Sequence, residues 1–287
     1  MATSIVGEVQ ARVATAETAR GVRKAGDPAA ARAAIRPVNK IVAAAGVTVG
    51  IYGDAGVGKT SLVRTLPADK TLFVDCEGGS DVLAGWDGAS LTLAEDLVTT
   101  SDRAVSLKDC MALLATIQAD EFRFVVLDSV SLLEKRVGDA ILAQRGKEYL
   151  ALGEYGDMGQ AVQKYLRAFS NLRWRGINVI LIAHATKSLR GEDGVANPLL
   201  QAGSAKSFSH LVSVLGYMTV GLNQERSITW ARMPGIAAKS RYDGCMSDIE
   251  AVPKDSKEYL GTVLRRIWAH RANLIKAGIN PEPEAVK

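Results

Sequence analysis

A chain of 287 residues, 47% of them hydrophobic and 23% charged, can bury a substantial core in one large domain or two small ones. Its formal charge of +4 permits contact with a polyanion but does not demonstrate one. The sequence has no apolar run long enough to span a bilayer, and its three cysteines are too far apart for a disulfide framework or a zinc site. These features argue against a membrane-spanning or disulfide-stapled protein, and we expect a cytoplasmic one.

Residues 1–45 are rich in alanine and arginine, and basic residues outnumber acidic ones there. Alanine favours helix, and the triplet Gly26-Asp27-Pro28 interrupts it. We therefore predict a basic helical arm that lies on the main domain or on a neighbour. Two interpretations stay open for its charge, a solvated face and a contact with nucleic acid or another subunit.

The segment Val47–Ser61, VTVGIYGDAGVGKTS, predicts a strand, a glycine-rich turn and the start of a helix. It contains the phosphate-binding motif G-x-x-x-x-G-K-[ST] in the strand-to-helix context that this motif requires. The glycines let backbone N–H groups approach phosphate oxygens, and the helix N-terminus adds a positive dipole. Lys59 would reach the β- and γ-phosphates, and the Thr60 hydroxyl would bind Mg²⁺. The residues predicted to bind ATP are Gly53, Asp54, Ala55, Gly56, Val57, Gly58, Lys59, Thr60 and Ser61.

A second apolar strand, Thr71–Asp75, is followed by Cys76, Glu77 and two glycines. Because the carboxyl ends of parallel strands face the ligand crevice, Asp75 and Glu77 should lie beside the phosphate-binding loop. A carboxylate there can hold the water that attacks the γ-phosphate, but either acid could instead cap the next helix. Position alone does not decide between these roles.

A third strand, Phe122–Asp128, follows a helix predicted at Ser106–Gln118 and also ends in an acid. An aspartate at this place would emerge next to Thr60, where a P-loop nucleotidase needs an acid to organise Mg²⁺. We therefore predict that Asp128 binds the metal rather than merely forming a turn.

The fourth strand, Asn178–His184, comes after helices predicted at Leu132–Gln144 and Gln160–Trp174. The stretch between these helices, Arg145–Gly159, is punctuated by glycines and is expected to be irregular. His184 stands at the carboxyl end of the strand, where it could contact the γ-phosphate or serve only the structure.

The remaining chain is predicted to extend the sheet. Ala185–Ala205 has no periodicity and is expected to be a functional or mobile loop. Lys239 and Arg241 flank one residue of an extended segment, so both side chains point the same way and can reach one anion. A basic amphipathic helix at Tyr259–Lys276 follows. The strands expected at the antiparallel edge are Leu211–Val220, Ser227–Met233 and Gly235–Ala238.

The alternation of four strands with three helices between residues 47 and 184 predicts an α/β fold, with a mostly parallel sheet and helices on both faces. We divide the chain into the basic arm at 1–45, an ATPase core at 46–252, and a C-terminal helix and tail at 253–287.

With these pieces placed, the chain resembles a RecA-type P-loop ATPase core from about Gly46 to Arg241. The loop GDAGVGKT is shared by all P-loop nucleotidases, whereas TLFVDCEGGSD and VVLDSVSLL are similar to more specific RecA segments. NVILIAH is similar to the RecA strand that ends in a glutamine, which couples the γ-phosphate to the DNA-binding loop; His184 stands at that position here. Within the superfamily, the chain is most similar to short phage-encoded ATP-binding proteins of recombination and single-strand annealing.

We predict a catalytic set of five residues, and the resemblance implies the roles of three of them. Glu77 would be the base that activates water, while Lys239 and Arg241 would reach the nucleotide of a neighbouring subunit in a ring or filament. Lys59 and His184 complete the set at the γ-phosphate.

The resemblance also implies that Lys187 and Arg190, in the loop after His184, contact single-stranded DNA. That loop has no aromatic residue, so base stacking on it is not expected. A single-strand-binding protein is a further candidate partner.

We therefore expect a Mg²⁺-dependent ATPase that converts ATP to ADP and phosphate and binds single-stranded DNA in phage recombination, annealing or repair. Two alternatives stay open. A nucleotide-dependent switch or loader would hydrolyse ATP slowly to time assembly with a replication partner, and a hexameric helicase-type motor would separate strands. The sequence disfavours an AAA+ machine, because no helical lid of useful length follows Arg241.

Overall fold

The computed structural model of the chain describes residues 28–186, 195–242, 244–254 and 256–277. The chain divides into two compact units, residues 1–42 and 43–287. Helix α1 spans Pro28–Ala33, and helix α2 spans Val38–Ala44. Proline suits the first position of α1, because it has no N–H to leave unsatisfied there.

One nine-stranded sheet organises the second unit. Its strands are β1 Thr48–Gly53, β2 Thr71–Asp75, β3 Ala89–Thr92, β4 Phe124–Asp128, β5 Asn178–His184, β6 Val214–Val220, β7 Arg226–Thr229, β8 Lys239–Ser240 and β9 Ile249–Val252. Their order across the sheet is β3-β2-β4-β5-β1-β6-β7-β9, and β8 pairs with β6. β1 to β6 form parallel pairs, whereas β7, β8 and β9 pair antiparallel. The predicted α/β fold class, with an antiparallel C-terminal edge, is confirmed.

Five longer helices accompany the sheet: α3 Leu107–Thr116, α4 Val130–Arg145, α5 Leu152–Asn171, α6 Ala202–Leu211 and α7 Tyr259–Ala277. Alternate strand residues point to opposite faces, and each face has its own hydrophobic core. Val125 and Leu127 of β4 pack with α3, α4, α5 and α6, whereas Phe124 and Val126 pack with α7. The described helices are too short or too polar for any of them to cross a bilayer.

The start of the C-terminal edge differs from the prediction. The sequence predicts antiparallel strands from Leu211 onward, but β6 is parallel to β1. The reason is α6, which was not predicted and supplies the crossover that a parallel strand needs. Gly235–Ala238 is not a strand, and the short parallel strand β3 was missed.

The glycine-punctuated stretch at Arg145–Gly159 is more regular than predicted, because α5 already begins at Leu152. Glu154 explains this start: its carboxylate accepts a hydrogen bond from the N–H of Ala151 at 2.6 Å and pairs with Arg145 and Lys147 at 2.9 and 2.7 Å. These bonds and the burial of Met158 offset the cost of glycine in a helix.

The segment after the phosphate-binding loop is also not the predicted α-helix. Thr60–Thr65 forms a 3-10 helix, which ends at Leu66 just before Pro67. A run this short favours the tighter hydrogen-bond pattern. The loop therefore relies on its own N–H groups more than on a helix dipole.

Candidate active site

The phosphate-binding loop leaves β1 at the centre of the carboxyl edge of the sheet. A Cβ atom at Gly53 would lie 2.4 Å from the carbonyl oxygen of Met218 on β6, so only glycine allows the two strands to approach this closely. Lys59 is 6% exposed, and its Nζ donates to the carbonyl oxygens of Gly53 and Asp54 at 2.9 and 2.8 Å. Burial lowers the pKa of Lys59, while the charges of Asp128 and Glu77 act in the opposite direction.

Thr60 and Asp128 meet beside this lysine. The Thr60 hydroxyl donates to Asp128 Oδ2 at 2.5 Å, and Asp128 is 3% exposed at the end of β4. Burial raises the pKa of Asp128 to about 6, against the hydrogen bond from Thr60. A hydroxyl and a carboxylate oxygen in contact, next to a phosphate-binding loop, suit a hard cation such as Mg²⁺. These are the two residues that the sequence predicted as metal ligands.

Asp75 and Glu77, between which the sequence did not decide, have different surroundings. Asp75 is 1% exposed, and its Oδ1 accepts hydrogen bonds from the N–H groups of Glu77 and Gly78, both at 2.8 Å. It therefore holds the turn that follows β2. Its Oδ2 is buried and has no hydrogen-bond partner among the described residues.

Glu77 instead faces the site. Its Oε1 lies 2.6 Å from His184 Nε2 and also accepts a hydrogen bond from the Ser129 hydroxyl. The side chains of His184 and Glu77 are 30% and 25% exposed, so water can reach both. The hydrogen bond from His184 lowers the pKa of Glu77, burial raises it, and the bond from Ser129 lowers it further. Glu77 is thus held as an ionised carboxylate.

Two serines at the start of α4 support this pair: Ser129, which caps the helix, and Ser131, which was not predicted. The Ser129 side chain accepts a bond from the N–H of Leu132 as the helix cap, besides contacting Glu77. The Ser131 hydroxyl accepts from the backbone N–H of His184 at 3.0 Å. The only local signal was a pair of serines directly after a strand that ends in Asp128, which is typical of a helix start.

The chain beyond His184 returns to β5 before α6 begins. Thr186 N–H donates to Asn197 O at 2.8 Å, Leu199 N–H donates to His184 O at 2.7 Å, and the Tyr52 hydroxyl donates to Ala196 O at 2.8 Å. The segment between these bonds thus starts and finishes next to His184. Lys187 and Arg190, predicted to contact nucleic acid, lie outside the described residues.

Lys239 and Arg241 lie away from the phosphate-binding loop of their own chain. Lys239 pairs with Leu215, near the amino end of β6, whereas the loop leaves the carboxyl end of β1. The strand between Leu215 and Met218 alone spans about 10 Å at roughly 3.3 Å per residue. The two cations instead donate to backbone oxygens at the end of α6, Lys239 to Ser209 and Arg241 to His210.

Helix α6 is bound at both of its ends. Glu134 Oε2 accepts from the N–H of Gln201, the residue before the helix, at 2.9 Å. Lys239 and Arg241 bind the carbonyls of the last turn. An anion at the N-terminus and cations at the C-terminus both match the helix dipole.

The site brings most of the predicted residues together at one sheet edge. Lys59, Thr60, Glu77, Asp128 and His184 meet there, while Lys239 and Arg241 do not. The arrangement can bind phosphates through loop N–H groups and a lysine, hold a cation and activate a water. This is the chemistry of nucleotide hydrolysis.

Comparison with known families agrees with this geometry. A family model described as AAA domain matches residues 45–242, which is more than half of the chain, and members of this family are usually ATPases. No curated protein sequence matches the chain. The chain belongs to the AAA domain family, within the superfamily of P-loop nucleotidases.

Proposed function

We propose that the protein is a Mg²⁺-dependent ATPase that hydrolyses ATP to ADP and phosphate, with a site completed by a neighbouring subunit. The observation that carries this proposal is the meeting of Glu77 with His184 and of Thr60 with Asp128 at the edge where Lys59 lies. A phosphate cradle without a water-activating acid would support binding only.

Each residue has a part in the proposed reaction. Glu77 accepts the proton of a water whose oxygen attacks the γ-phosphorus, and the bond to the leaving ADP oxygen breaks. His184 orients the Glu77 carboxylate and keeps it ionised. Lys59 and the loop N–H groups neutralise the phosphate oxygens. Thr60 and Asp128 would hold Mg²⁺, which when bound would offset the negative charge that develops on the phosphates.

The distance between the phosphate-binding loop and the two late cations supports a shared site. Lys239 and Arg241 lie toward the amino end of β6, too far along the sheet to reach a nucleotide bound by their own chain. In a head-to-tail assembly, the same residues would face the γ-phosphate held by the next subunit. There they would stabilise the charge of the transition state.

We propose that the protein also binds single-stranded DNA, in phage recombination, annealing or repair, and that this binding stimulates ATP hydrolysis. The segment that carries Lys187 and Arg190 begins directly after His184 and is closed by the bond between Thr186 and Asn197. A polyanion bound there would act on the strand end that orients Glu77. This part of the proposal rests on the resemblance and on position along the chain.

The test is steady-state ATP hydrolysis with and without oligo(dT), in the presence of Mg²⁺ or EDTA, for the native chain and for Lys59→Ala. We expect Mg²⁺-dependent turnover that rises with oligo(dT) and is absent in the variant. If the rate of ATP turnover is the same with and without oligo(dT), and the protein binds another protein in an ATP-dependent way, a switch or loader would be favoured. Absence of turnover in every condition would refute the ATPase.

A further inference from the structure

The hairpin between β6 and β7 brings an arginine to the phosphate-binding loop. β6 is parallel to β1 and β7 is antiparallel to β6, so the start of β7 lies at the carboxyl edge of the sheet. Arg226 is the first residue of β7 and pairs with Val220, the last residue of β6. It therefore reaches the edge from which the loop projects.

The guanidinium of Arg226 packs against Gly58. A Cβ atom at Gly58 would lie 2.8 Å from Arg226 Cζ, 3.0 Å from Nη1 and 3.1 Å from Nε. Gly58 has a φ of +97°, and the other loop glycine, Gly56, has a φ of +79°. Glycine is thus needed here twice, for the backbone conformation and for the space that the arginine occupies.

This guanidinium has no hydrogen-bond acceptor or carboxylate partner among the described residues. Arg226 is only partly exposed, and a partly desolvated cation without a partner is costly. The group it touches is a loop whose N–H groups point at phosphate oxygens. A phosphate is the ligand chemistry that would offset this cost, because guanidinium binds it with charge-assisted hydrogen bonds.

The order of the strands indicates which phosphates are involved. Glu77 follows β2, and Asp128 and His184 end β4 and β5, all on one side of β1. Arg226 starts β7 on the other side. If the water-activating acid marks the γ-phosphate, the opposite side is nearer to the nucleoside. We infer that Arg226 binds the α- and β-phosphates of the nucleotide held by its own chain, an inference that rests on the proposed nucleotide binding.

The inference distinguishes Arg226 from the residues around Glu77. The α- and β-phosphates are present in ATP and ADP alike, so a contact to them lowers KM and the Kd of ADP without changing kcat. Arg226→Ala should raise the KM for ATP and the Kd for ADP roughly ten- to a hundredfold, with kcat within about twofold. Arg226→Lys should recover part of the loss, because the charge is kept and the planar fork is not.

The experiment measures KM and kcat for ATP and, by calorimetry, the binding of ADP, inorganic pyrophosphate and adenosine. The proteins are the native chain, the two Arg226 variants and Arg265→Ala, an exposed arginine on α7 that serves as control. We expect weaker binding of ADP and pyrophosphate, with unchanged binding of adenosine, for Arg226→Ala and to a smaller degree for Arg226→Lys, but not for Arg265→Ala. If Arg226→Ala does not fold, Arg226→Lys decides by the same comparison.

Unchanged KM and ADP affinity in a folded Arg226 variant would overturn the inference while leaving the proposed ATPase intact. A fall in kcat at unchanged KM would also overturn it, because the arginine would then act in the transition state. If the native chain bound neither ATP nor ADP, the proposed function would fail and this inference with it.

Discussion

The charged side chains on the two sides of β1 have opposite sign and different hydrogen-bond partners. On the acidic side, at the ends of β2, β4 and β5, Glu77 and Asp128 each accept a hydrogen bond from a side chain of the same protomer. On the basic side, from β6 to β8, Lys239 and Arg241 bind only backbone oxygens, and Arg226 packs on a glycine.

This difference indicates that one chain by itself orients the acids of the site but not its cations. The acids are already oriented by hydroxyl and imidazole partners, so their geometry is set before any ligand binds. The cations lack a carboxylate partner among the described residues, and an anionic ligand can recruit them without breaking an ion pair.

The largest expected effect belongs to the basic side. Arg241→Ala should lower kcat by about a thousandfold or more, which is the contribution typical of a cation supplied to phosphoryl transfer by a neighbour. Mixing Arg241→Ala with Lys59→Ala should restore part of the activity, because one intact loop then meets one intact arginine. Steady-state hydrolysis of the mixtures measures this. A mixture no more active than its two components would show that each subunit works alone.

On the acidic side, Glu77→Gln should lower kcat by about 10²–10⁴-fold and leave ATP binding in place, because only proton transfer is removed. Single-turnover hydrolysis and nucleotide binding separate the two quantities. Glu95→Gln, at an exposed acid away from the site, is the matched control. Intact turnover in Glu77→Gln would mean that another group activates the water.

Replacing His184 should change how kcat depends on pH, because this residue belongs to the acidic side. The hydrogen bond from His184 is the largest cause of the lowered pKa of Glu77, and burial opposes it, so His184→Ala should raise that pKa. The ionised base is then lost at a higher pH, and the acidic limb of the kcat profile should move upward. At pH 7 we expect about a tenfold loss in kcat.

The control for this prediction is His210→Ala, which removes an exposed imidazole and keeps the backbone carbonyl that binds Arg241. An acidic limb at the same pH in His184→Ala and the native chain would contradict the role given to the imidazole.

The smallest effect should come from Asp75, which holds the turn after β2. Asp75→Asn keeps an acceptor for the N–H groups of Glu77 and Gly78 but loses the charge, so the free energy of unfolding should fall by about 1–2 kcal/mol. Urea unfolding measures this, and kcat should fall less than in Glu77→Gln. A loss of kcat equal to that of Glu77→Gln would place Asp75 in the chemistry.

The sequence placed the acids of this side at the carboxyl edge of the sheet because the signals for their position are local. A buried apolar run followed by an acid specifies both the strand and the edge at which Asp75 or Asp128 emerges. The roles of Asp75 and Glu77 were not separable, since they depend on which side chain meets His184 across the intervening strand β4.

The basic side was harder to predict. The contact between Arg226 and Gly58 joins residues that are distant in the chain, and nothing near Arg226 distinguishes it from other arginines at strand starts. Helix α6 lacked a strong apolar stripe, and Thr60–Thr65 was too short to form the expected α-helix. In each case tertiary pairing, rather than local preference, decided the outcome.

Helix α6 is held at both ends, by Glu134 through Gln201 just before its first turn and by Lys239 and Arg241 at its last turn. Whenever those cations turn toward an incoming anion, the carbonyls of Ser209 and His210 must find other donors. These carbonyls belong to helix α6, which begins shortly after the segment closed by the bond between Thr186 and Asn197. If a subunit donates these two cations to a neighbouring site, as proposed, the last turn of its own helix α6 would lose two hydrogen bonds.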